Sequence, residues 1–238
     1  MRLSRFVLVI ALLGALLLLL AGPGTRMDLW DFRTGFGVMR WAAYIGLGAA
    51  AVAVLLLLVP SFRRAEGMAL AAALLIGLVV AFVPWNAMRG ARQVPPIHDI
   101  STDTERPPQF VDILPLRADA PNPADYGGAE IARQQLAAYP ELGPYTSALP
   151  PAQAYGKALE AAKKMGWDIV ASDPASGRIE ASDTTMWFGF TDDVVIRVEA
   201  EGHDSRIDVR SVSRVGKSDV GTNAKRIRAY LAALARLG

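Results

Sequence analysis

Two histidine clusters are the first residues to weigh for chemistry. His98-Asp99 with Asp103, and His203-Asp204, each set an imidazole beside carboxylates, as a general base or a metal site requires. A zinc or hydrolytic centre needs at least three converging groups, and neither cluster has the spacing that puts two imidazoles on one helix face. Cysteine is absent, which excludes disulfides, thiolate nucleophiles and cysteine metal ligands. The expectation is therefore no catalytic residue, no metal and no cofactor. Asp192-Asp193 opens a strand and is read as a turn and cap feature, able to pair with Arg210 or Arg214, not as a catalytic dyad.

The stretch Ser213–Asp219, SRVGKSD, is more suggestive. A strand ends there, Gly216 permits a tight turn, and Ser218 or Asp219 can cap the helix that follows. A helix start offers free N–H groups and the positive end of a dipole, with Arg214 and Lys217 nearby. A nucleotide-binding loop is excluded, because its earlier glycine is Ser211 here and the predicted sheet is antiparallel. From Arg206 to Arg236 there are eight basic residues and two acids, Asp208 and Asp219. The candidate anion or headgroup contact is Arg210, Arg214, Lys217, Ser218, Lys225, Arg226 and Arg228. The competing reading is an N-cap with a solvated charged face.

These residues sit on elements that the pattern predicts directly. Ala152–Met165 reads as a helix stopped by Gly166, and Trp167–Ser172 as a strand leading into the turn Asp173–Gly177. Arg178–Thr184 alternates Ile179 and Ala181 with Arg178, Glu180 and Ser182. Asp193–Ala200 alternates in the same way through Val194, Ile196 and Val198. A turn at Glu201–Asp204 leads to Ile207 and Val209 on the last strand, and Asp219–Leu237 forms the final helix. The prediction is an α+β domain over residues 152–238, a four-stranded antiparallel sheet in the order α-β-β-β-β-α with both helices on one face. The other face would carry Arg178, Glu180, Arg197, Glu199, Asp208 and Arg210. That arrangement reads as a ladder of cross-strand ion pairs, or as a polar surface for a partner or for the segment that precedes the domain. Trp187, Phe188 and Phe190 read as core or as an apolar lip.

That segment, residues 89–151, is proline-rich. Eleven of the fifteen prolines fall between residues 86 and 151, which disfavours long helices and central strands. One short helix is expected at Ala129–Tyr139. Apolar residues in IHDIST and QFVDILPLR favour a strap laid over the domain, with a free linker as the alternative.

Residues 1–88 have a different composition. Three uncharged runs, Phe6–Thr25, Trp41–Phe62 and Gly67–Met88, are each long enough to cross a hydrocarbon core of about 30 Å as a helix. Spans are expected at about 6–22, 40–60 and 67–85. The sequence AGPGTR makes a poor cleavage site, so the first run reads as an uncleaved span. Small residues recur at four-residue spacing in the second run (Ala42, Gly46, Ala50) and the third (Ala69, Ala73, Gly77, Ala81), so these two helices are expected to pack. Trp30, Phe32, Phe36 and Trp41 suit the headgroup level. Positive charge does not decide the orientation, with Arg2, Arg5, Arg63 and Arg64 on one side against Arg26, Arg33, Arg40, Arg89 and Arg92 on the other, so the first helix sets it: the N-terminus is expected in the cytoplasm and the C-terminal domain outside. Residues 86–238 hold eighteen basic and twenty acidic groups, which argues against a nucleic-acid partner.

The segments HDISTD, RIEASDTTMWFGFTDDVVIRV and SRIDVRSVSRVGKSDVGTNAKRIRAYL resemble the bacterial family called domain of unknown function 1499. The stretch DFRTGFGVMRWAAYIGL is similar to its multi-spanning members. The resemblance implies a bacterial envelope setting and supports the domain boundary, and it carries over no catalytic residue. The expected protein is a multi-pass inner-membrane protein with a periplasmic domain. Its expected role is non-enzymatic, contacting the bilayer, anionic lipid headgroups or an envelope protein. The alternatives are a hydrolase-like envelope enzyme using His98 or His203 with a nearby Asp, and a lipid carrier with an apolar hollow between helices and sheet.

Overall fold

The computed structural model describes residues 3–237, so Arg2, counted above for orientation, lies outside the described residues. The chain divides into two compact units. One is Met1–Gly90 together with Met186–Gly189, and the other is Ala91–Thr185 with Phe190–Gly238.

The first unit is built from α1 (Leu3–Arg26), α2 (Phe32–Leu58) and α3 (Pro60–Ala91). All three are long and apolar enough to cross a membrane. The helices overrun the expected spans because the flanking residues are also helical. Asp31 starts α2 at the aromatic stretch, its carboxylate accepting the N–H groups of Arg33 (2.8 Å) and Thr34 (3.1 Å). A break at Glu66 (φ −142°, ψ 15°) separates the first turns of α3 from its apolar run.

Small residues decide the packing, as expected where lipid offers no hydrophobic drive between helices. A Cβ at Gly46 would lie 2.8 Å from the carbonyl oxygen of Gly77, and one at Gly77 would collide with that of Gly46. Helix α1 joins the same contact surface: Val7 and Ala11 cluster with Ala49, Ala53 and Ala73. Met186–Gly189 complete this unit. Phe188 is buried, its ring 5.0 Å from that of Phe36, and the Trp187 indole occupies the space a side chain at Gly22 would need.

The second unit is a six-stranded antiparallel sheet, where four strands were expected. The order is β1 (Asp99–Ser101), β6 (Asp204–Ser213), β5 (Thr191–Glu201), β4 (Arg178–Thr184), β3 (Asp168–Asp173), with β2 (Tyr145–Ser147) also on β6. The two added strands come from the proline-rich segment and lie end to end along β6, Ile100 opposite Ser211 and Tyr145 opposite Ile207. They cover backbone groups that a bare edge would leave unpaired. Three residues are too few to show a period, so alternation could not reveal them.

One sheet face packs on α5 (Pro151–Lys164) and α6 (Thr222–Ala235), as the alternation of β4 and β5 predicts. Ile179, Ala181, Val194, Ile196 and Val209 meet Ala158, Ala162, Ile227 and Tyr230 in this core. Trp167 stacks on Tyr230 at 5.2 Å, and the Tyr230 hydroxyl donates to the Ala158 carbonyl at 3.1 Å.

The opposite face lies beneath the proline-rich segment, which runs through a 3₁₀ turn (Leu114–Arg117) to α4 (Gly128–Ala138). Phe110 and Ile113 from this segment pack on Val195 and Val212. The segment lies over this face as a strap, and Glu180, Asp208 and Arg210 are fully buried while Arg178, Arg206 and Glu199 stay partly exposed.

Candidate anion-contact surface and the ion-pair clasp

The charged residues of the strapped face are held by specific partners. Glu180 is fully buried, and its carboxylate accepts the backbone N–H groups of Val111 (2.8 Å), Asp112 (3.3 Å) and Ile113 (2.8 Å). Prolines on both sides keep this stretch of strap out of regular structure, so a side chain supplies the acceptors that a ladder would otherwise provide. Arg178 brings its Nε to 2.9 Å from the same carboxylate. Arg197 and Asp208, directly opposite each other on β5 and β6, pair at 2.8 Å, and Arg197 and Arg206 both reach Asp103 of the strap at 3.0 Å.

Arg210 lies at the centre of the clasp. It is fully buried, gives Nε and Nη2 to the two oxygens of Asp99 at 2.9 and 2.8 Å, and donates to the carbonyls of Pro108 and Ala124. The rings of Phe110 and Tyr126 lie 5.3 and 5.4 Å from its guanidinium carbon. Burial pushes the Asp99 carboxyl above its ordinary value despite the bonds from Arg210, and it pushes the Tyr126 phenol up to about 12. Arg117, from the strap, is buried against Asp193 at 2.6 Å and donates to the carbonyls of Asn122 and Pro123. Asp193 also accepts from Arg214 and Ser182. Its burial raises the pKa, but the combined bonds from Arg214, Ser182 and Arg117 outweigh that and hold the carboxyl below its usual range.

Asp192, the neighbour of Asp193, points to the other face of the sheet, where it meets Arg226 at 2.7 Å. Arg226 also holds Asp183 (2.8 Å) and donates to Ser211 and Asn223. The paired acids therefore serve two separate structural networks, in keeping with the structural reading of that dipeptide.

The seven candidate anion-contact residues are accordingly divided. Arg210 and Arg226 are interior ion-pair partners, and Arg214 is committed to Asp193. Lys217, Lys225 and Arg228 are exposed. Arg228 donates to Glu141 at 2.7 Å and lies over the Tyr139 ring, whereas Lys217 and Lys225 pair with no carboxylate among the described residues. Ser218 accepts the N–H of Val220 at 3.1 Å and does not cap the helix. Asp219 does so, accepting from Gly221 and Asn223 at 2.8 Å each. Gly221, at φ +77°, makes the left-handed step into α6. Burial raises the Asp219 pKa. The start of α6 is thus already occupied by the chain's own carboxyl group.

The carboxylates next to His98 in sequence are engaged elsewhere. Asp99 turns both oxygens to Arg210, and Asp103 is taken by Arg197 and Arg206, while His98 Nδ1 lies 3.4 Å from the Lys217 carbonyl. His203 is exposed on the β5–β6 turn. Among the described residues no group of three His, Asp or Glu side chains is arranged to hold a metal ion. Glu180 lies on the face that the alternation offered to the strap, whereas sequence reasoning missed Arg117, whose signal was an arginine beside a run of apolar residues in an otherwise loop-like segment.

The curated proteins give no match to this chain. A family model described as protein of unknown function (DUF1499) matches residues 99–234, from the first residue of β1 into α6. The matched region therefore takes in the strap from residue 99 onward and all six strands, and it exceeds half of the 238 residues. On that match, the chain belongs to the DUF1499 family of proteins of unknown function.

Proposed function

We propose that this is a multi-pass protein of the bacterial inner membrane whose C-terminal domain is a non-enzymatic binding module on the periplasmic side. In this reading α1–α3 anchor the chain, and the domain contacts anionic lipid headgroups. The observation that supports it is the division of the basic residues. Five arginines between Arg206 and Arg228 are neutralised by carboxylates, while Lys217 and Lys225 stand exposed without one among the described residues. A cation near an anionic surface contributes about 1 kcal/mol. An envelope protein with an acidic surface would meet the same lysines.

The test is flotation of residues 91–238, their fold checked by circular dichroism, on neutral and anionic vesicles at low and high salt. The expected result is a component of binding seen on anionic vesicles alone and abolished by salt and by Lys217→Glu with Lys225→Glu, whatever salt-insensitive binding the bared apolar residues 186–189 add on both vesicle types. Binding without such a component, or none, overturns the headgroup contact, and crosslinking of the full chain in its membrane would then seek the acidic partner.

A further inference from the structure

The connection between β4 and β5 carries at its centre Met186-Trp187-Phe188-Gly189, four residues that belong to the helical unit. Phe188 is buried against Phe36, and Trp187 meets it edge-on at 5.2 Å. The Trp187 indole rests on Gly22 of α1, and Arg26 Nη1 donates to the Met186 carbonyl at 2.9 Å. Despite this anchoring, Met186 is 89% exposed and Trp187 36% exposed. Neither the packing of the helices nor the ion-pair clasp accounts for a bare methionine beside a half-bare indole.

Depth along α1 supplies the missing constraint. Leu12, Leu13, Leu16, Leu19 and Leu20 form the exposed apolar side of this helix, and Arg26 is the first charge after them. A guanidinium is costly inside hydrocarbon, so Arg26 marks the headgroup level. Gly22 lies one turn earlier, about 6 Å toward the apolar run. The indole on Gly22 is thereby placed just below the headgroups, where tryptophan is favoured. Trp30, whose Nε1 donates to the Ala21 carbonyl at 3.3 Å, sits at the same level.

We infer that Met186 and Trp187 form a lipid-facing wedge, inserted at the bilayer interface beside the C-terminal end of α1. The occupant of this surface is the boundary between acyl chains and headgroups. The wedge is uncharged and therefore indifferent to lipid charge, unlike the lysine contact proposed above. It rests on the reading that α1 spans the membrane, and not on headgroup binding.

The absence of cysteine makes the test direct. Met186→Cys and Leu16→Cys are introduced singly into the full chain, labelled with a polarity-sensitive fluorophore and reconstituted into phosphatidylcholine vesicles. Some vesicles carry lipids with a nitroxide near the headgroup, others near the chain end. The expected result is blue-shifted emission at position 186 that the shallow nitroxide quenches more than the deep one. Position 16 should be quenched most by the deep nitroxide. Water-like, unquenched emission at 186 with position 16 still quenched overturns the wedge alone. Unquenched emission at both 186 and 16 overturns the spanning reading and the wedge with it.

Discussion

Arg210 and Asp99 form a bidentate, fully buried ion pair between β6 and β1, closing two parallel hydrogen bonds of 2.9 and 2.8 Å between residues 111 positions apart. The same guanidinium ties down the strap at Pro108 and Ala124, so one side chain joins an edge strand, a central strand and the covering segment. Breaking such a pair leaves an uncompensated charge in the interior, and this cost exceeds the net gain from the intact pair.

Arg210→Met should accordingly destabilise the domain by about 3–5 kcal/mol at neutral pH. The loss should shrink toward acid pH, because the abandoned Asp99 can be protonated there. Adding Asp99→Val should recover part of the loss. Urea unfolding of the three variants at neutral and acid pH would check this, and a loss at Arg210→Met that is independent of pH would contradict it.

Asp193 responds to pH with the opposite sign to Asp99. Its folded pKa is depressed, so the contribution is complete above its unfolded value of about 3.9 and is lost as pH falls through the lower folded value. Asp103, also depressed, adds to the same acid limb. Asp99 and Asp219, both raised, bind a proton more readily folded than unfolded, so their part of the stability declines as pH rises from the unfolded value through the folded one. Asp193→Asn should lower stability at neutral pH by about 3 kcal/mol, since Arg117 and Arg214 lose their shared carboxylate. It should also flatten the fall in stability below about pH 4. Thermal melts across that range would show both effects together.

Glu180 predicts where the strap opens. Its two oxygens accept three backbone N–H groups of the strap, and an amide in its place can present only one oxygen to them. Glu180→Gln should leave at least one buried donor unpaired, at about 1–3 kcal/mol. Amide exchange at Val111, Asp112 and Ile113 should accelerate more than at β5 residues such as Val194 and Ile196. Equal acceleration in both places would mean that the whole domain, not the strap, had been loosened.

Much of the architecture is written in local pattern. The apolar runs set three helices long enough to cross a bilayer, because length and absence of charge suffice for that. Glycine and alanine at four-residue spacing anticipated the approach of Gly46 to Gly77, since a helix turn repeats at that interval. Alternation in Arg178–Thr184 and Asp193–Ala200 identified the strands and the face that meets α5 and α6. What tertiary structure decided was the fate of the polar face and of the basic residues. Alternation shows that Glu180, Asp208 and Arg210 point away from the main core, but it cannot show that a strap buries them. β1 and β2 are three residues each, and they exist only because β6 offers an edge. The partners of Arg210, Arg226 and Arg117 lie far away in sequence, at Asp99, Asp192 and Asp193. A charge count reads all of these arginines alike. Only burial and pairing separate a guanidinium that holds the fold from a lysine left free on the surface.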